Sequence, residues 1–107
     1  MEITQTKNGE YLVLEFTGNL DTGTSPAVEK QVNELIENGE LKFVFNFENT
    51  KYMSSSGLRV LLATAKKLKK QGELKISNLN SVIEEVFDVS GFSSILNVYK
   101  TQEDALA

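Results

Sequence analysis

The stretch LKFVFNFENTKYMSSSGLRVLL, residues 41–62, combines an apolar run, a serine cluster and a second apolar run with a different spacing. Its first seven residues are β-branched or aromatic at most positions, which predicts a strand that is covered on both faces. After the serines, apolar residues recur at the spacing of one helix face, at Leu58, Leu61, Leu62, Ala65 and Leu68. A buried strand that leads into a helix through a short polar loop is typical of an α/β protein.

Strand and helix patterns also alternate on both sides of this stretch. Asn8-Gly9 is a strong hairpin signal between the first two strands. The predicted order is β-β-α-β-α-β-α-β-α, with strands at Ile3–Lys7, Tyr11–Phe16, Leu41–Phe47, Glu73–Ser77 and Leu96–Tyr99. Such an order predicts an α/β domain over residues 1–107, with a mixed, mostly parallel sheet of four to five strands and four helices.

The predicted helices carry capping signals at their ends. Ser25 followed by Pro26 predicts that the first helix begins with serine as its N-cap. The S-x-x-E pattern of Ser81–Glu84 predicts a capping box, and a last short helix is expected over Thr101–Ala107. Glycines are expected to end the first three helices, at Gly39, Gly72 and Gly91.

The composition excludes several classes of function. Cysteine and histidine are both absent, which removes disulfides, thiolate and imidazole metal ligands, and serine–histidine pairs. The formal net charge is −4, whereas nucleic-acid binding needs a basic surface. The chain has neither a signal-peptide pattern nor a run of about 20 apolar residues. We predict a cytoplasmic binding protein, not an enzyme, with no metal, cofactor, nucleic acid or membrane as a partner.

The serine cluster lies where a central strand ends and a helix begins, at the edge of an open α/β sheet where ligands and partners are bound. At least one of Ser54, Ser55 and Ser56 is expected to be the N-cap of that helix. Gly57, in the first turn, costs roughly 0.5–1 kcal/mol relative to alanine, so we expect another backbone or a ligand to approach it closely. A hydroxyl at an exposed helix N-terminus is also a favourable place for a phosphate.

Four segments together resemble the STAS-domain anti-sigma-factor antagonists. YMSSSGLRVLL, residues 52–62, is similar to the family's aspartate-serine-serine/threonine-glycine-leucine motif at the start of a helix. GNLDTGTSP at 18–26, KKLKKQG at 66–72 and FDVSGF at 87–92 resemble, in the same order, the family's G-x-(L/I)-D loop, its lysine-rich helix end and its F-x-x-(S/T)-G-(L/F) segment. The resemblance covers essentially the whole chain and implies a single STAS-like domain.

The resemblance implies a regulator that is switched by phosphorylation. Unphosphorylated members bind an anti-sigma factor that is also a serine kinase, and so release a sigma factor; the kinase ends this by phosphorylating the antagonist, and a serine phosphatase reverses it. By position, the modified residue is Ser56, with Ser55 as the alternative. The expected partner-binding residues are Asp21, Thr22, Ser54, Ser55, Gly57 and Leu58.

Position 54 departs from the family pattern, because Ser54 stands where the family usually has aspartate. The change removes a negative charge beside the acceptor and adds a third hydroxyl.

A second function stays open alongside the switch: a STAS module that is not phosphorylated and acts as a scaffold or binds a small ligand such as a nucleotide or a lipid. An enzyme that uses Asp21 with a serine of the cluster is disfavoured by the missing histidine and by the lack of a phosphate-binding glycine loop. The lysines at 66–70 and the acidic residues at 84–88 are best explained as solvated helix surfaces.

Overall fold

Five strands form one mixed sheet, and their order in space, β1-β2-β3-β4-β5, is also their order in the chain. The computed structural model describes all 107 residues. β1 and β2 are antiparallel, and every other neighbouring pair is parallel. The strands are β1 Glu2–Asn8, β2 Tyr11–Thr17, β3 Lys42–Asn49, β4 Glu73–Ser77 and β5 Asn97–Tyr99.

Four α-helices alternate with the parallel strands, and a short 3₁₀ helix, Phe92–Ser94, precedes β5. The helices are α1 Ser25–Glu37, α2 Ser55–Leu68, α3 Ser81–Ser90 and α4 Gln102–Leu106. The predicted fold class and the predicted order of elements are confirmed. None of the helices has both the length and the apolar character needed to cross a bilayer.

The larger core lies between one face of the sheet and the helices α1, α2 and α3. Phe43, Phe45 and Phe47 of β3 alternate onto this face and are fully buried, as the pattern predicted. Phe16 of β2 packs against Phe47 with ring centroids 4.8 Å apart. These packed rings lie beneath the carboxyl edge of the sheet, where the serine cluster lies.

The opposite face of the sheet is covered by α4, through a small cluster of Val13, Val44 and Ala105. Lys75 of β4 lies beneath this helix with 9% of its surface exposed, and its Nζ donates a hydrogen bond of 2.7 Å to the Ala105 carbonyl oxygen. The same Nζ lies 4.8 Å from the centroid of the Tyr11 ring. Burial acts to lower the pKa of Lys75, but the interactions with Tyr11 and nearby groups outweigh it and raise the pKa. Lys75 is therefore charged at neutral pH.

Two helix starts differ from the prediction by one residue. The N-cap of α1 is Thr24, not Ser25. The backbone N–H of Ser25 donates to the Asp21 carbonyl oxygen (2.8 Å), so the chain already turns before Ser25. The N-cap of α3 is Asn80, not Ser81, and its Oδ1 accepts from the backbone N–H of Ile83 at 2.8 Å.

The helix ends at Gly39 and Gly91 follow the prediction, because both glycines have left-handed backbone angles just beyond α1 and α3. Helix α2 ends at Leu68, three residues earlier than a stop at Gly72 implies. The N–H of Gly72 donates a hydrogen bond to the carbonyl oxygen of Leu68 at 2.7 Å.

Candidate functional site

Each residue of the serine cluster has a different environment. Ser54 is the N-cap of α2, in an extended conformation, and its Oγ accepts from the backbone N–H of Gly57 at 3.3 Å. Ser55 is the first helical residue and is exposed. Ser56 is half-buried, and its Oγ lies 3.2 Å from Oγ1 of Thr22, within hydrogen-bonding distance. The expected capping role therefore belongs to Ser54.

Backbone hydrogen bonds tie the loop after β2 to the loop after β3. The N–H of Leu20 donates to the Tyr52 carbonyl oxygen at 3.0 Å, and the N–H of Ser54 donates to the Leu20 carbonyl oxygen at 2.9 Å. Leu20 and Met53 form an isolated parallel bridge between these bonds. The two loops thus form a small extension of the sheet, which holds residue 22 next to residue 56.

Gly57 is the residue that lets these loops meet. A Cβ atom at this position would lie 2.8 Å from both the Cγ and the carbonyl oxygen of Leu20, and 3.0 Å from the Cγ of Met53. These distances are shorter than a normal van der Waals contact, so only glycine fits without a shift of the backbone. The close approach that the sequence led us to expect at Gly57 comes from another backbone.

Asp21 stabilises its own loop. Its Oδ1 accepts from the backbone N–H groups of Gly23 (3.0 Å) and Thr24 (3.1 Å), and it makes no hydrogen bond to the serine cluster. The residue of this loop that contacts Ser56 is Thr22, whose side chain is exposed.

Gly57 and Leu58 lie buried beneath the exposed residues of the serine cluster. Leu58 is 6% exposed and belongs to the larger core, and Gly57 is buried. Among the residues expected to bind a partner, Thr22 and Ser55 are exposed and Asp21 and Ser54 are half-buried. In the isolated chain, these four and Ser56 therefore form the accessible part of the site.

Ser56 opens into a groove of about 240 Å³ between α1 and α2. Two charged side chains, Glu29 of α1 and Arg59 of α2, line this groove, together with Thr22, Ser25, Pro26 and Val60. Glu29 and Arg59 are not among the site residues predicted from the sequence. The spacing of three residues between Ser56 and Arg59 on a predicted helix was a signal for Arg59, whereas the position of Glu29 depends on how α1 packs on α2.

No cluster of three or more acidic side chains is placed to hold a metal ion. The arrangement offers hydroxyl groups at the edge of the sheet, the backbone N–H groups of Ser55 and Ser56 at the start of α2, and one charge of each sign. Such a surface can bind a partner and can accept a covalent phosphate.

Comparison with known proteins identifies the family. The family model of the STAS domain matches residues 2–105 of this chain. The chain belongs to the STAS domain family. An anti-sigma F factor antagonist from Paenibacillus polymyxa is 32% identical over 97 residues, which cover 89% of this chain and 83% of that protein.

Solved structures show the same fold. An anti-sigma factor antagonist from Mycobacterium paratuberculosis has a TM-score of 0.90 at 22% identity, covering 98% of this chain and 90% of that one. The Bacillus cell fate determinant SpoIIAA, in its phosphorylated form, has a TM-score of 0.74 at 23% identity, and the match covers 98% of this chain and 96% of SpoIIAA. The resemblance seen in the sequence to STAS-domain anti-sigma-factor antagonists is confirmed.

Proposed function

We propose that this protein is an anti-sigma factor antagonist that is switched off by phosphorylation of Ser56. In its unphosphorylated form it binds an anti-sigma factor with serine kinase activity and so releases a sigma factor. The kinase transfers the γ-phosphoryl group of ATP to Oγ of Ser56, and ADP and the hydroxyl proton leave. A serine phosphatase hydrolyses the phosphate ester with water, which restores the hydroxyl and releases inorganic phosphate. Relatives that are anti-sigma factor antagonists support the proposed binding of an anti-sigma factor. The structure of phosphorylated SpoIIAA supports a phosphate on a protein of this fold.

One observation carries the proposal: the hydroxyl of Ser56 lies at the meeting point of two loops and two helices, 3.2 Å from Thr22. A phosphate there changes the surface formed by all four elements. On Ser54 a phosphate would disturb the N-cap, because the Ser54 Oγ is the acceptor for Gly57. Ser55 is the more exposed hydroxyl and is the alternative acceptor, but it does not line the groove.

The charge of the phosphate is large enough to act as the switch. At neutral pH it adds about −1.5 to −2 charges at the centre of the proposed interface. A charge that docking removes from water, with no cation on the anti-sigma factor to pair with it, costs roughly 3–5 kcal/mol, close to the ~5.5 kcal/mol that separates a nearly complete complex from a nearly dissociated one. The attraction of the α2 N-terminus for an anion, about 0.3–1 kcal/mol, does not offset this cost. Neither an enzymatic reaction nor a cofactor is needed for this function.

A binding titration tests the proposal. Each purified anti-sigma factor kinase of the source organism is titrated with wild type, Ser56→Ala and Ser56→Asp. Ser93→Asp, an exposed serine outside the groove, is the matched charge control. We expect wild type, Ser56→Ala and Ser93→Asp to bind alike and Ser56→Asp to bind roughly 100-fold more weakly. Addition of ATP should release wild type but not Ser56→Ala.

Equal affinities for wild type, Ser56→Asp and the phosphorylated protein would contradict the switch. The alternative, a STAS module that acts as a scaffold or binds a nucleotide or a lipid, would then be favoured. Peptide mass mapping after incubation with the kinase and ATP should place one phosphate on Ser56, and a phosphate outside Ser54–Ser56 would also contradict the proposal.

A further inference from the structure

Arg59 is an unpaired cation in the groove that contains Ser56. It is exposed on α2, one turn after Ser56, and both side chains line the same groove. The only two ion pairs of the structure, Lys7–Glu40 and Lys42–Glu10, lie on other elements. The guanidinium therefore has no carboxylate partner, even though Glu29 lies across the groove.

Ser56 and Arg59 are placed so that a phosphate on the serine and the guanidinium can pair within one helix. Side chains three residues apart on a helix have their Cβ atoms about 5–6 Å apart and lie on the same face. A phosphate on Ser56 extends into the groove and brings three acceptor oxygens towards Arg59. Arginine presents a planar fork of N–H donors that matches a phosphate, which a lysine ammonium does not.

We propose that Arg59 is the internal partner of the phosphate on Ser56 and holds it in the groove between α1 and α2. The inference rests on the proposed modification of Ser56. Arg59 stabilises the phosphorylated, non-binding form of the protein, because the pair exists only after phosphorylation. Glu29 has the opposite effect, because its carboxylate lies on the other side of the groove and repels the phosphate.

This pair also bears on the serine at position 54. With aspartate there, an acidic side chain would stand beside the phosphate; with Ser54, the N-cap is neutral and its oxygen is bonded to Gly57. The charged side chains that line the groove are then Glu29 and Arg59 alone. Arg59 therefore acts on the phosphate without an opposing charge at position 54, and the acidic side chains that remain on this surface are Glu29 and the half-buried Asp21.

The experiment is a ³¹P NMR pH titration of protein that carries phosphoserine at position 56, introduced during translation so that no kinase is required. The variants are Arg59→Gln, Arg59→Lys, Glu29→Gln and Lys66→Gln. Lys66→Gln is the matched control, since it removes one positive charge from an exposed position at the far end of α2. Thermal midpoints are measured with and without the phosphate.

We expect the phosphate of Arg59→Gln to titrate at higher pH than that of wild type, and the phosphate of Glu29→Gln at lower pH. Lys66→Gln should match wild type, and Arg59→Lys should fall between wild type and Arg59→Gln. Phosphorylation should raise the thermal midpoint of wild type by roughly 1–4 °C more than that of Arg59→Gln.

Identical titrations for wild type and Arg59→Gln would overturn the inference, and so would an equal effect of Lys66→Gln. Both readouts are independent of the kinase. A protein that no kinase phosphorylates would contradict the proposed function and leave these measurements interpretable, whereas a working switch with unchanged titrations would contradict only the role of Arg59.

Discussion

A side-chain carbon at Gly57 would lie 2.8 Å from the carbonyl oxygen of Leu20, the same oxygen that accepts the backbone N–H of Ser54. The glycine therefore maintains the contact between the two loops that form the site. Gly57→Ala should destabilise the protein by about 1–3 kcal/mol, because the added methyl group forces backbone atoms apart in a packed region. The measurement is the free energy of unfolding from urea denaturation.

Gly23→Ala is the matched control for this substitution. A Cβ at position 23 would meet its nearest neighbour, Oδ1 of Asp21, at 3.4 Å, which is ordinary contact, and the loop N–H is retained. Its effect should be the smaller of the two. If Gly57→Ala left stability unchanged, the two loops could move apart at little cost, and their contact would not require glycine.

The sequence predicts the order of elements well, because it depends on local patterns. Apolar spacing locates the helices, and the hairpin signal at Asn8-Gly9 joins β1 to β2. Helix starts are less certain where two capping residues are adjacent. At α3, Asn80 is the cap instead of Ser81, because its Nδ2 also donates to the carbonyl oxygens of Thr50 (3.3 Å) and Lys51 (3.0 Å) on another loop.

Within the site, the sequence locates the serine cluster and the loop around Asp21 but not the contacts between them. Thr22 and Ser56 are 34 positions apart, and their contact depends on the register of the parallel bridge between Leu20 and Met53. No local pattern contains that register. For the same reason, the opposition of Glu29 and Arg59 across the groove emerges only once α1 is packed on α2.

Ser54 has a capping function that aspartate at the same position would also perform. Ser54→Ala should cost about 1 kcal/mol of stability, because the N–H of Gly57 loses its acceptor. Ser54→Asp should retain or slightly raise the thermal midpoint, since aspartate is an equally good N-cap and its charge suits the helix N-terminus. Ser55→Ala, at an exposed position that accepts no such bond, should change stability by at most about 0.5 kcal/mol. An equal loss in the Ser54 and Ser55 alanine variants would argue against the N-cap assignment.

Lys75 connects β4 to α4 by a hydrogen bond from its Nζ to the carbonyl oxygen of Ala105. Lys75→Met keeps most of the apolar stem but leaves this carbonyl without its donor and removes the cation from the rings of Tyr11 and Tyr99. We expect a loss of about 1–3 kcal/mol and faster hydrogen exchange confined to α4 and the neighbouring β5. Lys42→Met is the control: it removes a half-exposed cation that pairs with Glu10 and lies 5.9 Å from the centroid of the Tyr11 ring, but has no bond to α4, so exchange in α4 should be unchanged. Unaltered exchange in Lys75→Met would mean that apolar contacts alone hold the helix.

A negative charge at position 56 should leave the fold intact, whereas the same charge at Ser77 should not. Ser56 is half-buried at the edge of an open groove, with the Thr22 hydroxyl able to donate to a carboxylate and Arg59 one turn away. Ser56→Asp should therefore shift the thermal midpoint by no more than a few degrees, since an anion near a helix N-terminus gains about 0.3–1 kcal/mol.

Ser77 has no exposed surface and its Oγ has no hydrogen-bond partner, so Ser77→Asp buries an unpaired charge and should unfold the protein or lower its midpoint severely. Differential scanning calorimetry of both variants distinguishes these outcomes. A collapse of Ser56→Asp comparable to that of Ser77→Asp would show that Ser56 is a structural residue, and loss of binding in that variant would then reflect unfolding instead of a switch.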